Sequence, residues 1–140
     1  MKEYTVYIDN SRAYIRVVIY KRVQQMRDRM TKDGKDHDKQ CMGMFSPSNY
    51  YEDESGVRFY QDYIGMMYLH EDRLGSAVVA HECLHAAMSC ERHLNRFTMK
   101  YDPDEINYDE ERLCYLLSNI IKQVYTCIYD NEHAMAGEVK

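Results

Sequence analysis

His81, Glu82 and His85 stand in the order His-Glu-Cys-Leu-His, a spacing with chemical meaning if the segment is helical. Residues four apart lie one turn apart on one helix face, so both imidazoles can reach a single Zn2+ at about 2.0–2.1 Å. Glu82 sits about 100° round the axis from His81, which puts its carboxylate beside an attacking water rather than on the metal. The three residues thus read as two metal ligands and a general base. With six histidines and eleven glutamates in 140 residues, shuffling gives an HExxH in only about 2% of sequences, so chance explains it poorly.

A catalytic zinc takes a third protein ligand and keeps a fourth position open. The position of a third metzincin histidine is occupied by Glu91, and Met88 stands where that pattern needs glycine. On a continuous helix His93 points about 80° away from His85, and His133 falls in the C-terminal tail. An acidic residue on the following helix suits better, and Glu110 and Glu111 both stand in its first turn. If Asn107 is the N-cap, Glu110 occupies the capping-box position and has a structural task. Glu111, with Cys114 three residues on and Tyr115 four residues on, presents a face that can come close to the HExxH helix. Glu111 is therefore the expected third ligand and Glu110 its alternative, with Asp102, Asp104 and Asp109 behind them.

These residues need elements to hold them. Gly75-Ser76 punctuates the chain, and the pattern after it predicts a helix from Ala77 to about His93, with Ser76 as cap and Val79, Ala80, Cys83, Leu84, Ala87 and Cys90 on the apolar face. Leu113, Leu116, Leu117, Ile120, Ile121, Val124 and Ile128 predict a second helix from about Tyr108 to Tyr129, acidic in its first turn as the helix dipole favours. Tyr4–Ile8 reads as a strand closed by Asp9-Asn10-Ser11. Ile15, Val18, Ile19, Val23, Met26 and Met30 then recur at helical steps and predict one long helix capped by Ser11, although the β-branched run 14–20 would also suit a strand. Residues 31–56 read as loops and turns with one short strand near Met42–Phe45, and Val57–Tyr60 and Tyr63–Leu69 read as two strands.

The length fits one domain, expected over residues 1–132 with a frayed tail at 133–140. Hydrophobic residues at 45% and charged residues at 29% suit a globular chain. No apolar run approaches the roughly 20 residues of a membrane span and the start lacks a signal sequence, so the expected location is cytoplasmic. Five cysteines without a CxxC pair read as reduced thiols, with Cys83, Cys114 and Cys127 at apolar helical positions. The net charge of −5 argues against nucleic acid as main partner. Residues 11–40 are locally basic, which reads as a solvated helix face or a docking face for an acidic protein partner.

Three segments together resemble a known group: Tyr63–Leu69, Ala77–Ala87 around the HExxH, and Glu110–Leu116. The chain is similar there to the compact HExxH-plus-glutamate zincins of gluzincin type, found among phage and mobile-element proteins and in the ImmA/IrrE-like group. The resemblance implies an α+β minimal zincin-like fold, in which a small, mostly antiparallel sheet packs on an N-terminal helix, the HExxH helix and a C-terminal helix. It implies a zinc metallopeptidase acting on a protein or peptide substrate, with an edge strand, here residues 63–69, that can take an extended peptide by strand addition. It also implies a glutamate early in the next helix closing the metal site, which matches Glu111 or Glu110. Tyr115 is a candidate for stabilising the oxyanion, beside Tyr101, Tyr108, His70 and His93. A different class of function is a catalytically silent zincin-fold protein that docks a partner through its strand edge or basic helix.

Overall fold

In a computed structural model, residues 1–8, 11–37, 40–48, 51–52, 54–56, 58–59, 62–95 and 108–138 are described, with backbone alone at 51–52, 58–59, 76, 93–95, 108–110 and 133–138. The fold is α+β. In chain order it has β1 (Lys2–Tyr7), β2 (Tyr14–Tyr20), α1 (Val23–Lys32), β3 (Met44–Pro47), β4 (Tyr51–Glu52), β5 (Arg58–Phe59) and β6 (Tyr63–His70). A 3-10 turn (Glu71–Arg73) then leads to α2 (Ser76–Asn95) and α3 (Tyr108–Glu138).

The main sheet has the order β1-β2-β6-β3, and β4 pairs with β5 apart from it. β1–β2 and β3–β6 are antiparallel, while the central β2–β6 pair is parallel. Side chains alternate across this sheet. Val6, Ile15, Val17, Ile19, Met67 and Leu69 join the core shared with α2 and α3. Val18, Tyr20 and Tyr68 pack on the other side with Met26 and Met30 of α1. The sheet thus lies between one helix and a helix pair, each layer burying its apolar face against the next.

Residues 14–20 are a strand and not the first part of a long helix. Ile15, Val17, Val18, Ile19 and Tyr20 are all buried, because β2 lies between two strands and is covered on both faces. Such a strand carries a nearly continuous apolar run, and its three- and four-residue spacings imitate helical periodicity. Ser11 serves the hairpin: its hydroxyl accepts from the Ala13 N–H at 3.0 Å and donates to the Ile8 carbonyl at 3.3 Å. The helix starts at Val23, where the Arg22 N–H donates to Gln25 Oε1 at 3.2 Å.

The basic segment is consequently spread over a strand and a helix, and much of its charge is engaged within the chain. Arg16 pairs with Glu3 at 3.1 Å, Arg22 with Asp72 at 3.5 Å and Arg29 with Asp33 at 3.2 Å. Arg27 donates to the Cys41 carbonyl at 3.0 Å.

β6 lies inside the sheet, with β2 on one side and β3 on the other, so it has no free edge for an added peptide strand. The strand outside it is β3. Gly65 permits their close approach, since a Cβ there would collide with the Ser46 carbonyl and come within 2.9 Å of Pro47 Cα.

α3 runs on to Glu138, past the expected end near Tyr129 and through part of the expected frayed tail. Asn131 explains part of this extension: it is 2% exposed and donates from Nδ2 to Glu71 Oε1 at 3.0 Å, tying α3 to the turn before α2. None of the described helices is long and apolar enough to cross a membrane.

Candidate metal site

β6 delivers the chain through the 3-10 turn into α2, so the helix bearing the HExxH starts at one end of the central strand. Val79, Cys83, Ala86, Ala87 and Cys90 of α2 are buried in the core. The apolar face is rotated from the expected one: Ala80 is exposed, Leu84 is 43% exposed, and Ala86 is buried instead. His81 and His85 therefore stand on the outward side of the helix, and the His81 side chain is 68% exposed.

Their Nε2 atoms are 3.2 Å apart, with the rings in an edge-on arrangement at an angle of 76°. Two imidazole nitrogens about 2.05 Å from one tetrahedral zinc would be separated by about 3.3 Å. The pair therefore has the spacing that a shared metal requires. Without metal, the same nitrogens can share a hydrogen bond if one ring donates.

Glu82, unlike the two histidines, is buried, with only 6% exposed. Its Oε1 lies 3.9 Å from His81 Nε2, and its Oε2 is buried without a hydrogen-bond partner. Burial pushes its carboxyl above the usual range, while His81, His85 and the nearby Phe45 backbone pull it part of the way back. A buried carboxylate with a bare oxygen beside two imidazoles is equipped to take a proton from a water held there.

β3 supplies the wall on this side. Gly43, just before that strand, brings its Cα so near α2 that an added Cβ would lie 3.1 Å from Val78 Cγ1 and 3.3 Å from Glu82 Cγ. The sequence reading missed both Gly43 and Phe45, since one looked like loop punctuation and the other contributes its backbone. The edge is also a limited template for strand addition, because Pro47 has no N–H to give.

Other expected site residues are less closely gathered. Glu111 is exposed on α3, and among the described residues no three His, Cys, Asp or Glu side chains converge in a way that could hold a metal ion. The side chains of Glu110, Asp109, Tyr108, His93 and His133, and all of Tyr101, Asp102 and Asp104, lie outside what is described. Tyr115 is 74% exposed on α3. His70 is only 1% exposed and pairs in register with Tyr20, which packs with α1, so it sits on the sheet face away from α2.

Cys83, directly after Glu82, is fully buried, and burial together with the neighbouring carboxylate pushes its thiol up to about 12. It packs as an apolar side chain, as do Cys90 and Cys127. Cys114, expected on a buried face, is exposed.

Glu91 also turns out differently from its surroundings in sequence. It is 0% exposed, and Arg112 Nε reaches its two oxygens at 2.9 and 3.0 Å. The signal was present: Glu91 follows Cys83 and Ala87 at four-residue steps on the buried face, where a carboxylate requires a partner. No protein family matches the chain, and no curated protein or solved structure matches it significantly.

Proposed function

We propose that this chain is a zinc-dependent metallopeptidase of compact zincin type, hydrolysing peptide bonds of a protein substrate. The observation that carries the reading is the 3.2 Å separation of His81 and His85 Nε2 beside a buried Glu82 carboxylate with one unengaged oxygen. His81 and His85 would hold the metal, and Glu111, or Glu110 in its place, would complete the protein ligands. When bound, zinc supplies Lewis-acid polarisation of the scissile carbonyl and lowers the pKa of water.

Glu82 would take a proton from the attacking water and return it to the leaving amine. Its raised proton affinity favours that second task, and its burial shields the carboxylate from bulk water. Tyr115, one turn beyond Glu111 on α3, is the proposed donor to the oxyanion. The five free cysteines suit a reducing compartment such as the cytoplasm.

The test is metal content by elemental analysis after purification without a chelator or histidine tag. About one zinc per chain is expected, lost in His85→Ala. Loss in Glu111→Ala but not Glu110→Ala would identify the third ligand, and the reverse result would exchange the two. Glu82→Gln should keep its zinc and lose about 10²–10⁴-fold in hydrolysis. A wild type without zinc would sink the proposal, and zinc without hydrolysis of any peptide substrate would point to a binding protein instead.

A further inference from the structure

α1 ends in a tight turn that the sequence Asp33-Gly34-Lys35 makes possible. Gly34 takes the left-handed φ of 73°, its N–H donates to the Thr31 carbonyl at 3.0 Å, and the Lys35 N–H donates to the Met30 carbonyl at 2.8 Å. This pairing folds the chain back over the helix end, and the residue after the glycine is commonly apolar so that it can pack on the last turn. Here that residue is Lys35, half-buried, and among the described residues its ammonium makes no hydrogen bond or ion pair. Packing alone does not account for a lysine at this position.

Lys35 borders a cleft of about 310 Å³, together with Arg29 and Asp33 of the same helix end and Pro47, Tyr63 and Met66 of the sheet. The cleft opens on the sheet face away from α2, since Met66 packs with the cluster that joins α1 to the sheet. Its one carboxylate is already engaged. Asp33 accepts from the hydroxyl of the buried Tyr68 at 2.8 Å and from Arg29 Nε at 3.3 Å. Arg29 spends its Nε on that contact, which leaves its two terminal amino groups uncommitted among the described residues. Two cations therefore share one carboxylate, and donors remain for a further acceptor.

From this geometry we infer that the cleft binds a small organic molecule carrying one carboxylate on a flat, apolar body. The volume is at the lower end of the range for small-molecule sites, about 300–1,000 Å³, and accommodates a single ring with its charged substituent. Pro47, Met66 and the Tyr63 ring supply apolar walls, and Tyr63 is held by stacking on Tyr14, with centroids 5.6 Å apart and planes at 12°. An ammonium beside a guanidinium suits a carboxylate, because charge-assisted hydrogen bonds are the strong ones. Binding there requires no metal, so this inference stands or falls separately from the reading of His81 and His85.

The test is a titration with sodium benzoate followed by backbone amide shifts in ¹H–¹⁵N NMR spectra, with acetate and benzyl alcohol as the two halves of the probe. Benzoate should saturably shift the amides of Lys35, Ser46 and Met66, and each half should bind about tenfold more weakly or less. Lys35→Met should hold or raise the melting temperature, because an apolar side chain suits the turn, yet weaken benzoate about 10- to 100-fold. Lys35→Gln carries the same expectation for binding if the methionine variant does not fold. Absence of saturable shifts at these amides, wild-type affinity in the folded Lys35 variant, or shifts centred on α2 would overturn the site. A glutamate-rich peptide that shifts the same amides while benzoate does not would overturn it as well and assign the face to an acidic protein partner.

Discussion

The backbone of Gly43 rests against the side chain of Glu82, so closely that a methyl group on Gly43 would stand 3.3 Å from Glu82 Cγ. The same methyl would meet Val78 Cγ1 at 3.1 Å and the Tyr68 carbonyl oxygen at 3.4 Å. The glycine therefore sets how near the β3 edge comes to the Glu82 carboxylate, whose proton affinity the Phe45 backbone of β3 also lowers.

Gly43→Ala should consequently move Glu82 by a few tenths of an ångström. The expected cost is about 1–3 kcal/mol in stability, as for other overpacked sites. On the proposed reading, hydrolysis should fall while bound zinc stays at the wild-type level, because the atoms nearest the added methyl belong to Glu82, Val78 and Tyr68 and not to either histidine. Parallel measurement of melting temperature, zinc content and turnover checks this, and unchanged turnover in the folded variant would contradict it.

His70 leads to a prediction about pH. Its ring is buried with neither nitrogen hydrogen-bonded in good geometry. Burial lowers its pKa from 6.5; Arg27 and Arg73 act in the same direction, while Asp72 and the nearby Met42 backbone oppose them. The folded state thus prefers the neutral ring. The stability it contributes is complete above the unfolded value of about 6.5 and is lost as pH falls through that value toward the lower folded one. Urea unfolding at pH 7.5 and 5.5 should show a loss of stability on acidification that is smaller in His70→Phe. Equal losses in the two proteins would refute the assignment.

The thiols should separate by reactivity. Burial pushes Cys83 and Cys90 up to about 12 and Cys127 to about 11, whereas Cys114 is exposed on α3. With a thiolate-specific reagent on native protein at pH 8, Cys114 should react first and those three only on unfolding. Mass spectrometry of the labelled peptides reads the order directly. Early labelling of Cys83 would mean that α2 does not pack on the sheet as described.

The elements carrying the motif were legible because their patterns are strong. α2 and α3 follow apolar spacing over several turns, and His81, Glu82 and His85 have a fixed chemical spacing that requires only a helix to become a site. Residues 14–20 were misleading for a physical reason: Ile15, Val18 and Ile19 satisfy helical spacing, yet both faces of β2 are covered, so no polar alternation marks it as a strand. The place of β6 inside the sheet was equally hidden, because strand order depends on which distant segments pair. Glu82 was legible as a candidate base, but its surroundings at Gly43 and Phe45 were not, since one contributes the absence of a side chain and the other only its backbone. In sequence Glu91 shows only that a metzincin's third histidine is missing, and its partner Arg112 becomes visible once α2 and α3 are packed together.

The parallel pairing of β2 with β6 also dictates an order of assembly. β1 and β2 are close in sequence, but β2 can meet β6 only after the chain from residue 21 to residue 62 has been gathered into a closed loop. Closing so long a loop costs entropy before any ladder forms, and parallel pairing of distant strands is intrinsically slow. The hairpin and the individual helices can form early, whereas the seam through the middle of the sheet must come late. His81 and His85 belong to a single helix and need no seam to face the same way, but the cover over Glu82 depends on β3, whose partner is β6. A newly made chain would accordingly bring its two imidazoles together before it shelters the Glu82 carboxylate, so that on the proposed reading any hydrolytic activity would wait until the rest of the molecule is in place.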